Sequence, residues 1–366
     1  MKFSPVYLYV YVWLLTISLY AVQISPIFTV DTQRLLIFVL FLLAPLLPYL
    51  YITRLLVDNK KIIPGFNGSK LIGFIFGVVT IFEVALAGNF PLLGALSIGK
   101  YVHYTDYGIP GLHGLVNGLH LVLCVIYSVR YRSGKSNADL LVLTVLFLLS
   151  LLTLSRQLSM SIIVQFLLIY LYYHNFKINV KRLSGLVFTV IVILLLFSYL
   201  GDLRSGSGFI YGYLQIEGEY PEAISGLFWI YIYIVSPIHN LLNNIFEIES
   251  VYLPINSLLS LFPSPIRAVF SDFLMNDLYL EHSIFNVGTA FPSIIGDFGL
   301  LGISGLSFLI MTFDIFIRVS PHPMTLPIYI FLGHAIIFSV FGNFFFSLPF
   351  LIQMIILLLC QKKYSR

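Results

Sequence analysis

Long apolar runs constrain this chain more than any other feature of its sequence. A helix needs about 20 mostly apolar residues to cross the hydrocarbon core of a bilayer. Only 10% of the 366 residues are charged and 59% are hydrophobic, whereas a soluble domain carries about 25% charged residues. We therefore expect an all-α, multi-pass membrane protein, folded as one domain over residues 1–366. The runs that can span lie at about 6–22, 34–52, 71–88, 112–129, 139–155, 157–174, 184–200, 290–312, 325–342 and 344–360.

The distribution of lysine and arginine predicts the orientation of these spans. The orientation of every span after residue 226 depends on whether the run 226–243 crosses the membrane. This run begins apolar but then carries Pro237, His239, Asn240 and Asn243. If this run does not span, fifteen basic residues lie on the presumed cytoplasmic side and five outside; if it spans, the numbers are twelve and eight. Cytoplasmic loops are enriched in Lys and Arg, which favours the first arrangement. We expect about ten transmembrane helices, eleven if 226–243 spans, with both termini cytoplasmic.

In this arrangement one long external loop, residues 201–289, separates the seventh span from the eighth. The loop contains nine acidic and two basic residues, the opposite of a cytoplasmic loop. The run 226–243 is then a re-entrant or interfacial helix within it. We expect the functional residues on this external face, where the structured mass outside the bilayer is concentrated.

Short catalytic signatures are missing from the sequence. The two cysteines, Cys124 and Cys360, both lie in apolar runs, so neither a disulfide framework nor a metal-ligand spacing is predicted. A P-loop, HExxH and GxSxG are also absent, which argues against an ATP-driven pump, a metalloprotease and a serine hydrolase. We expect no metal and no cofactor.

The few basic residues predicted on the external face are candidates for binding an anion. Guanidinium groups match phosphate oxygens bidentately and stay charged at any working pH. Arg156 lies at a turn between two spans, and Arg204 and Arg267 lie in the long loop. The alternative is that each is an interfacial anchor, reaching lipid headgroups along an apolar stem.

A second candidate site is the external segment 89–114, which is rich in Gly, Pro, Tyr and His. It carries Lys100, His103, Asp106 and His113. Such residues form either an aromatic belt at the membrane interface or a platform for carbohydrate, on which rings pack against sugar faces and polar groups bind hydroxyls.

Candidate bases precede or begin the eighth span. Glu281, His282 and Asp297 could each take a proton from an attacking hydroxyl, although a carboxylate near a helix N-terminus is often structural. Within the spans, Glu83 has two interpretations of equal weight: it belongs to a functional site, or its carboxylate simply reaches water at the end of the span. His120 and His334 are more typical of interhelical hydrogen bonds.

Several of these segments, in order, resemble the Wzy-type O-antigen polymerases, also called oligosaccharide repeat-unit polymerases. The segments are Tyr107–Gly114, Ser155–Gln157, Asp202–Ser205, and Thr289 with Gly296–Gly299. The resemblance covers most of residues 89–312 together with the arrangement of spans. It implies a bacterial inner-membrane glycosyltransferase of the GT-C type, independent of metal, whose active site faces the periplasm.

The resemblance also implies the reaction and the partners. A growing glycan would be transferred from undecaprenyl pyrophosphate to a sugar hydroxyl of the next repeat unit on the same carrier. Arg156, Arg204 and Arg267 would neutralise the two pyrophosphates, and one of Glu281, His282 and Asp297 would be the base. A separate chain-length regulator is an expected partner, and nucleic acid is not.

Two other functions are open. An O-antigen ligase uses the same donor; its loop pattern begins here at His239-Asn240, but no Gly follows until Gly288. A flippase for the lipid-linked unit would show about twelve spans and two similar halves, and neither is found.

Overall fold

The structure is a computed structural model that describes residues 3–56, 58–59, 61–96, 98, 102–103, 106–176, 184–185, 188, 191–192, 195, 209–216, 224–270, 278–281 and 287–362. Apart from one isolated bridge between Phe66 and Gln361, this part of the chain is helical or irregular and contains no strand. The helices are α1 Pro5–Val22, α2 Thr32–Leu43, α3 Leu46–Arg54, α4 Ser69–Ala87, α5 Pro91–Ala95, α6 Leu112–Gly134, α7 Asn137–Leu152, α8 Arg156–Tyr173, α9 Phe209–Tyr213, α10 Ser225–Asn244, α11 Ile255–Leu259, α12 Ser264–Val269, α13 Phe291–Phe298, α14 Leu301–Val319, α15 Thr325–Phe338 and α16 Leu348–Leu359.

The prediction of an all-helical membrane protein is confirmed. Among the described residues, six helices are long and apolar enough to cross a membrane: Pro5–Val22, Thr32–Arg54, Ser69–Ala95, Leu112–Gly134, Ser225–Asn244 and Leu301–Val319. Shorter apolar helices accompany them at Asn137–Leu152, Thr325–Phe338 and Leu348–Leu359. The count of ten spans stays a prediction, because the run 184–200 falls largely outside the described residues.

The prediction of one spanning helix over 290–312 is wrong. The run divides into α13 and α14 at Gly299, whose φ of 62° is open mainly to glycine. A Cβ added at Gly302 would lie 2.6 Å from the carbonyl oxygen of Ile294. Residues eight apart in one straight helix are about 12 Å apart, so the chain folds back here into a tight helical hairpin.

The loops between the helices collect at two opposite ends of the bundle. At the first end, backbone hydrogen bonds join Phe3 to Phe176, Asn59 to Arg318 and Asn67 to Cys360. Helix α8 runs from Arg156 at the other end to this one, a rise of about 27 Å. We call the first end the basic end; it carries Lys61, Arg130, Arg132, Arg318 and Lys362.

We call the opposite end the site end. There Ser25 Oγ donates to the Leu214 carbonyl at 2.7 Å, and Ser260 Oγ donates to the Phe346 carbonyl at 2.6 Å. The turn predicted at Ser155–Gln157 also lies here, and Ser155 accepts a hydrogen bond from Leu158 N at 3.3 Å as the N-cap of α8. The described basic residues that were predicted on the external face lie at this end.

Helix α10 lies along the site end. Tyr231 OH accepts a hydrogen bond from Ser25 N at 3.4 Å, and the carbonyls of Leu242 and Asn243 accept bonds from Arg34 Nη1 at 3.1 and 2.8 Å. Ser25 lies in the connection between α1 and α2, and Arg34 lies in the first turn of α2, so both groups of contacts are at the site end. Because residues 231–243 rise about 18 Å, contacts with one end at both positions favour the re-entrant or interfacial helix over a crossing one.

We predict that the two flanks of α10 are accessible from the same side of the membrane. In a variant with Cys124→Ala and Cys360→Ala, Gln215→Cys and Glu247→Cys are both exposed positions at the site end. A membrane-impermeant maleimide should label both from one side and Asn137→Cys, at the basic end, only from the other. Labelling of the two flanks from opposite sides would show that α10 crosses.

Candidate functional site

A polar cluster at the site end forms around His239 of α10. His239 is 1% exposed, and its Nε2 lies 2.8 Å from Oε2 of Glu281. Asn243 Nδ2 lies 3.0 Å from the same imidazole nitrogen and 3.3 Å from the same carboxylate oxygen. The Glu281 side chain is 44% exposed, so the cluster reaches from the core of the bundle to solvent. We call these three residues the His–Glu cluster.

The spacing of polar residues along α10 explains how this cluster is held. Asn240 and Asn244 are one helical turn apart and so share a face. Asn244 exchanges two hydrogen bonds with the backbone of Tyr279, at 2.7 and 2.8 Å, and Asn240 Nδ2 donates to the Val287 carbonyl at 3.0 Å. The segments on either side of Glu281 are thereby fixed to the helix that carries His239.

The environment of His239 determines its hydrogen-bonding role. The rings of Tyr20 and Phe28 lie 6.2 and 5.2 Å from the imidazole, and its Nδ1 is buried with no partner in the described part of the chain. An ionised carboxylate only accepts hydrogen bonds, so Glu281 accepts from Asn243 Nδ2, and from His239 in the tautomer that carries its proton on Nε2. His239 therefore orients a solvent-facing carboxylate, an arrangement suited to general-base chemistry.

Two of the predicted anion-binding arginines are described, and both lie at the site end. Arg156 Nη1 donates to the hydroxyl of Tyr233 on α10 at 3.2 Å. Arg267 is exposed on α12 and makes no ion pair within the described residues. Arg34 has a structural role, because it forms an ion pair with Asp31 at 3.2 Å and donates hydrogen bonds to two carbonyls of α10.

Asp297, a predicted base, makes the contacts of a residue with a structural role. Its carboxylate is fully buried and accepts hydrogen bonds from Asn256 N at 2.7 Å, Asn256 Nδ2 at 3.1 Å and Ser257 N at 2.9 Å. These bonds cap the N-terminus of α11. Of the two roles that the sequence left open, the contacts favour the structural one.

A second polar group at the site end lies between α4 and α6. Glu83 is 1% exposed, and its Oε2 lies 3.1 Å from His113 Nδ1. Ile109 N donates to the other carboxylate oxygen at 3.4 Å. Gly108 has a φ of +92°, and a Cβ there would lie 2.5 Å from His113 Nδ1, so a glycine is needed where the loop passes the imidazole.

The remaining candidates are less informative. His103 and Asp106 are exposed in the same loop, joined by a hydrogen bond from Asp106 N to the His103 carbonyl at 3.0 Å. Lys100, Arg204 and His282 lie outside the described residues. Within the described part, no three His, Cys, Asp or Glu side chains are grouped so that they could hold a metal ion.

His239 is not among the residues that the sequence motifs predict for the polymerase site; in the sequence it stands out only as the start of the ligase pattern. The spacing of four residues between His239 and Asn243, and between Asn240 and Asn244, places two polar pairs on adjacent faces of one helix. This spacing is the one sequence signal that points to the cluster. The partner Glu281 lies 42 residues further along the chain, and no local pattern connects the two.

Comparison with protein-family models, with curated proteins and with solved structures finds no match to this chain. The resemblance to the repeat-unit polymerases therefore stays a prediction, supported by the motifs in the sequence.

We predict that Asp297→Asn lowers the free energy of unfolding by about 1–3 kcal/mol, because the amide NH₂ would meet a backbone N–H donor in a buried site. The measurement is the melting temperature of purified protein in detergent, with the exposed Asp106→Asn as the matched control. A normal melting temperature combined with lost activity would instead assign Asp297 to catalysis.

Proposed function

We propose that this protein polymerises lipid-linked oligosaccharide repeat units of a bacterial surface polysaccharide such as O-antigen. The observation that carries the proposal is the His–Glu cluster, a solvent-reaching carboxylate held by a buried imidazole at the same end of an apolar bundle as Arg156 and Arg267. A substrate anchored in the bilayer by a lipid carrier would present its pyrophosphate and first sugars at this depth. The ordered sequence motifs support the same function.

In the proposed reaction, Glu281 is the general base. It removes the proton from a sugar hydroxyl of the acceptor repeat unit as that oxygen attacks the anomeric carbon of the donor glycan. The bond between the anomeric carbon and the pyrophosphate oxygen breaks, and undecaprenyl pyrophosphate leaves with the bonding electrons. His239 acts as a positioning residue, because its Nε2–H holds the carboxylate in place.

The arginines stabilise the charge that develops on the leaving group. Preorganised positive groups at the position where charge develops lower the barrier more than groups that bind only the ground state. Arg156 is held beside α10 by the Tyr233 hydroxyl, and Arg267 is exposed on α12 without an ion-pair partner in the described part of the chain. In the proposal both contact phosphate oxygens. Arg204 remains the third proposed member of this group.

The proposal places the protein in the bacterial inner membrane with the site end facing the periplasm and the basic end facing the cytoplasm. This orientation follows the positive-inside rule, because Arg130, Arg132 and Arg318 lie at the basic end. Both termini are then cytoplasmic. A chain-length regulator is the expected protein partner, on the family resemblance.

O-antigen ligase is the second candidate, and one observation favours it: His239, where the ligase pattern would begin, is in the His–Glu cluster. Deletion of the gene separates the two functions. Loss of a polymerase leaves lipopolysaccharide core plus one repeat unit, whereas loss of a ligase leaves bare core.

We predict that Glu281→Gln abolishes the lipopolysaccharide ladder in a polymerase-null strain, because removal of a general base costs about 10²–10⁴-fold in rate. His239→Gln, which can still donate to the carboxylate, should retain more activity than His239→Ala. Glu247→Gln, an exposed acid just after α10, is the control. A full ladder from Glu281→Gln would exclude Glu281 as the base.

We predict that Arg156→Ala, Arg204→Ala and Arg267→Ala each shorten or remove the ladder, because the leaving pyrophosphate loses a positive partner. Replacement by Lys should restore part of the activity, since the charge returns without the bidentate fork. Arg130→Ala, at the basic end, is the matched control and should give a full ladder. Full-length ladders from all three of these variants would contradict the anion-binding role.

A further inference from the structure

The Glu83–His113 pair holds the loop that leads into α6. Both carboxylate oxygens of Glu83 are directed at this loop: one lies 3.1 Å from His113 Nδ1, and the other accepts a hydrogen bond from Ile109 N at 3.4 Å. The two loop residues are also joined to each other, because His113 N donates to the Ile109 carbonyl at 2.9 Å. Glu83 is 1% exposed, and a carboxylate buried so deeply is stable only while it keeps such partners. The loop is therefore tied to α4 through one buried side chain.

The middle of the same loop packs against the segment that precedes α12. Gly111, two residues before His113, has a φ of +86°, a conformation open mainly to glycine. A Cβ added there would lie 3.2 Å from both Cβ and Cγ of Pro263, so the backbone of the loop already lies against the proline ring. The loop held by Glu83 is thus in contact with the segment 255–269.

Pro263 is the residue from which α12 begins. Its carbonyl accepts hydrogen bonds from Ile266 N at 3.0 Å and from Arg267 N at 3.1 Å, so the backbone that carries the Arg267 guanidinium is bonded directly to Pro263. Residues 266–270 are all exposed. Because the outer part of this short helix faces solvent, contacts made at its start have the strongest influence on where it lies.

We propose that Glu83 is a positioning residue for Arg267. The carboxylate holds His113 and Ile109, the loop between them packs on Pro263, and Pro263 begins the helix that carries the guanidinium. This inference rests on the proposed function, in which Arg267 contacts the pyrophosphate of the substrate. It also accounts for an ionisable group buried near the end of an apolar span, where such groups are costly and commonly functional.

Other groups at the site end are held by other contacts. Glu281 lies 2.8 Å from His239 Nε2, so its position is set by α10. Arg156 is the main alternative target of Glu83, because Leu158 in the same turn of α8 lines a water-sized cavity of about 20 Å³ that Glu83 also lines. The two targets predict different couplings: Glu83 should be coupled to Arg267 and independent of the groups on α8 and α10.

The first measurement does not depend on enzyme activity. A nitroxide label is attached at Val269→Cys, a 77% exposed position on α12, in a variant with Cys124→Ala and Cys360→Ala. A second label at Glu247→Cys, exposed just after α10, is the site-end control. Electron paramagnetic resonance in nanodiscs reports the mobility of each label. Glu83→Ala should raise the mobility of the label at position 269 and leave the label at position 247 unchanged.

Glu83→Gln is the conservative variant. A glutamine keeps the shape of the side chain, accepts from Ile109 N through its amide oxygen, and donates to His113 Nδ1 in the tautomer with its proton on Nε2. It should therefore leave the label on α12 as immobile as in the unmodified protein. His113→Ala removes the partner instead and should mobilise the same label, so it tests the contact even if Glu83→Ala does not fold.

The second measurement is the rate at which purified lipid-linked repeat units are polymerised in proteoliposomes. We expect Glu83→Ala to lower this rate by about tenfold to 100-fold, because displacing a positioned group by about 1 Å can cost about 10²-fold. The double variant with Arg267→Ala should be no slower than the slower single variant. With His239→Gln, which affects a separate group, the two losses should multiply. Asp139→Ala, which removes a buried carboxylate paired with Arg130 at the basic end, is the matched control and should keep the rate.

Other results overturn the inference in distinguishable ways. Unchanged mobility at position 269 in Glu83→Ala and His113→Ala would show that the loop does not hold α12. Increased mobility of both labels would show a general loosening of the bundle. Coupling with Arg156→Ala in place of Arg267→Ala would assign Glu83 to the start of α8. If the unmodified protein polymerises nothing, the proposed function fails, and the label mobility still decides whether Glu83 positions α12.

Discussion

The structure depends on one constraint: in a bundle with so few charged residues, a buried polar group is stabilised mainly by partners that it finds inside the protein. In lipid an unsatisfied polar group costs several kcal/mol. Asp314, fully buried on α14, accepts hydrogen bonds from Val6 N at 3.4 Å and from the Tyr49 hydroxyl, and lies 3.9 Å from Arg318 Nη1. Three separate helices, α1, α3 and α14, are joined through this one carboxylate at the basic end. Removing one partner of such a buried pair costs about 3–5 kcal/mol.

The same constraint links the two polar regions of the site end. Asp297 holds the start of α11, and Ser260, just after that helix, donates to the Phe346 carbonyl. Pro263 follows and lies 3.2 Å from where a Cβ of Gly111 would be, in the loop that leads to His113. The segment between the His–Glu cluster and the Glu83–His113 pair is therefore fixed by the buried carboxylate of Asp297.

Sequence patterns were reliable where one local property decides the structure. Hydropathy alone predicts the helices at 6–22 and 112–129, which the structure places at Pro5–Val22 and Leu112–Gly134. It could not predict the chain reversal at Gly299, because both helices of that hairpin are apolar and the run is continuous. It also could not pair His239 with Glu281 or Asp297 with Asn256, since these partners are about forty residues apart and depend on tertiary packing. The sequence is enough to select the candidate residues. To assign a role to each of them, one must know which residues contact it in the folded protein.

Helix α10 is the element on which the proposed reaction geometry depends. It carries Tyr233, which orients Arg156, and His239, which orients Glu281. These two positions are six residues apart, about 9 Å along the helix axis, with Pro237 between them. The proposed anion-binding group and the proposed base are thus both held in place by one helix. A helix crossing the membrane would place these positions at different depths, whereas the re-entrant or interfacial arrangement that the contacts of α10 favour would let both face the proposed substrate at the membrane surface.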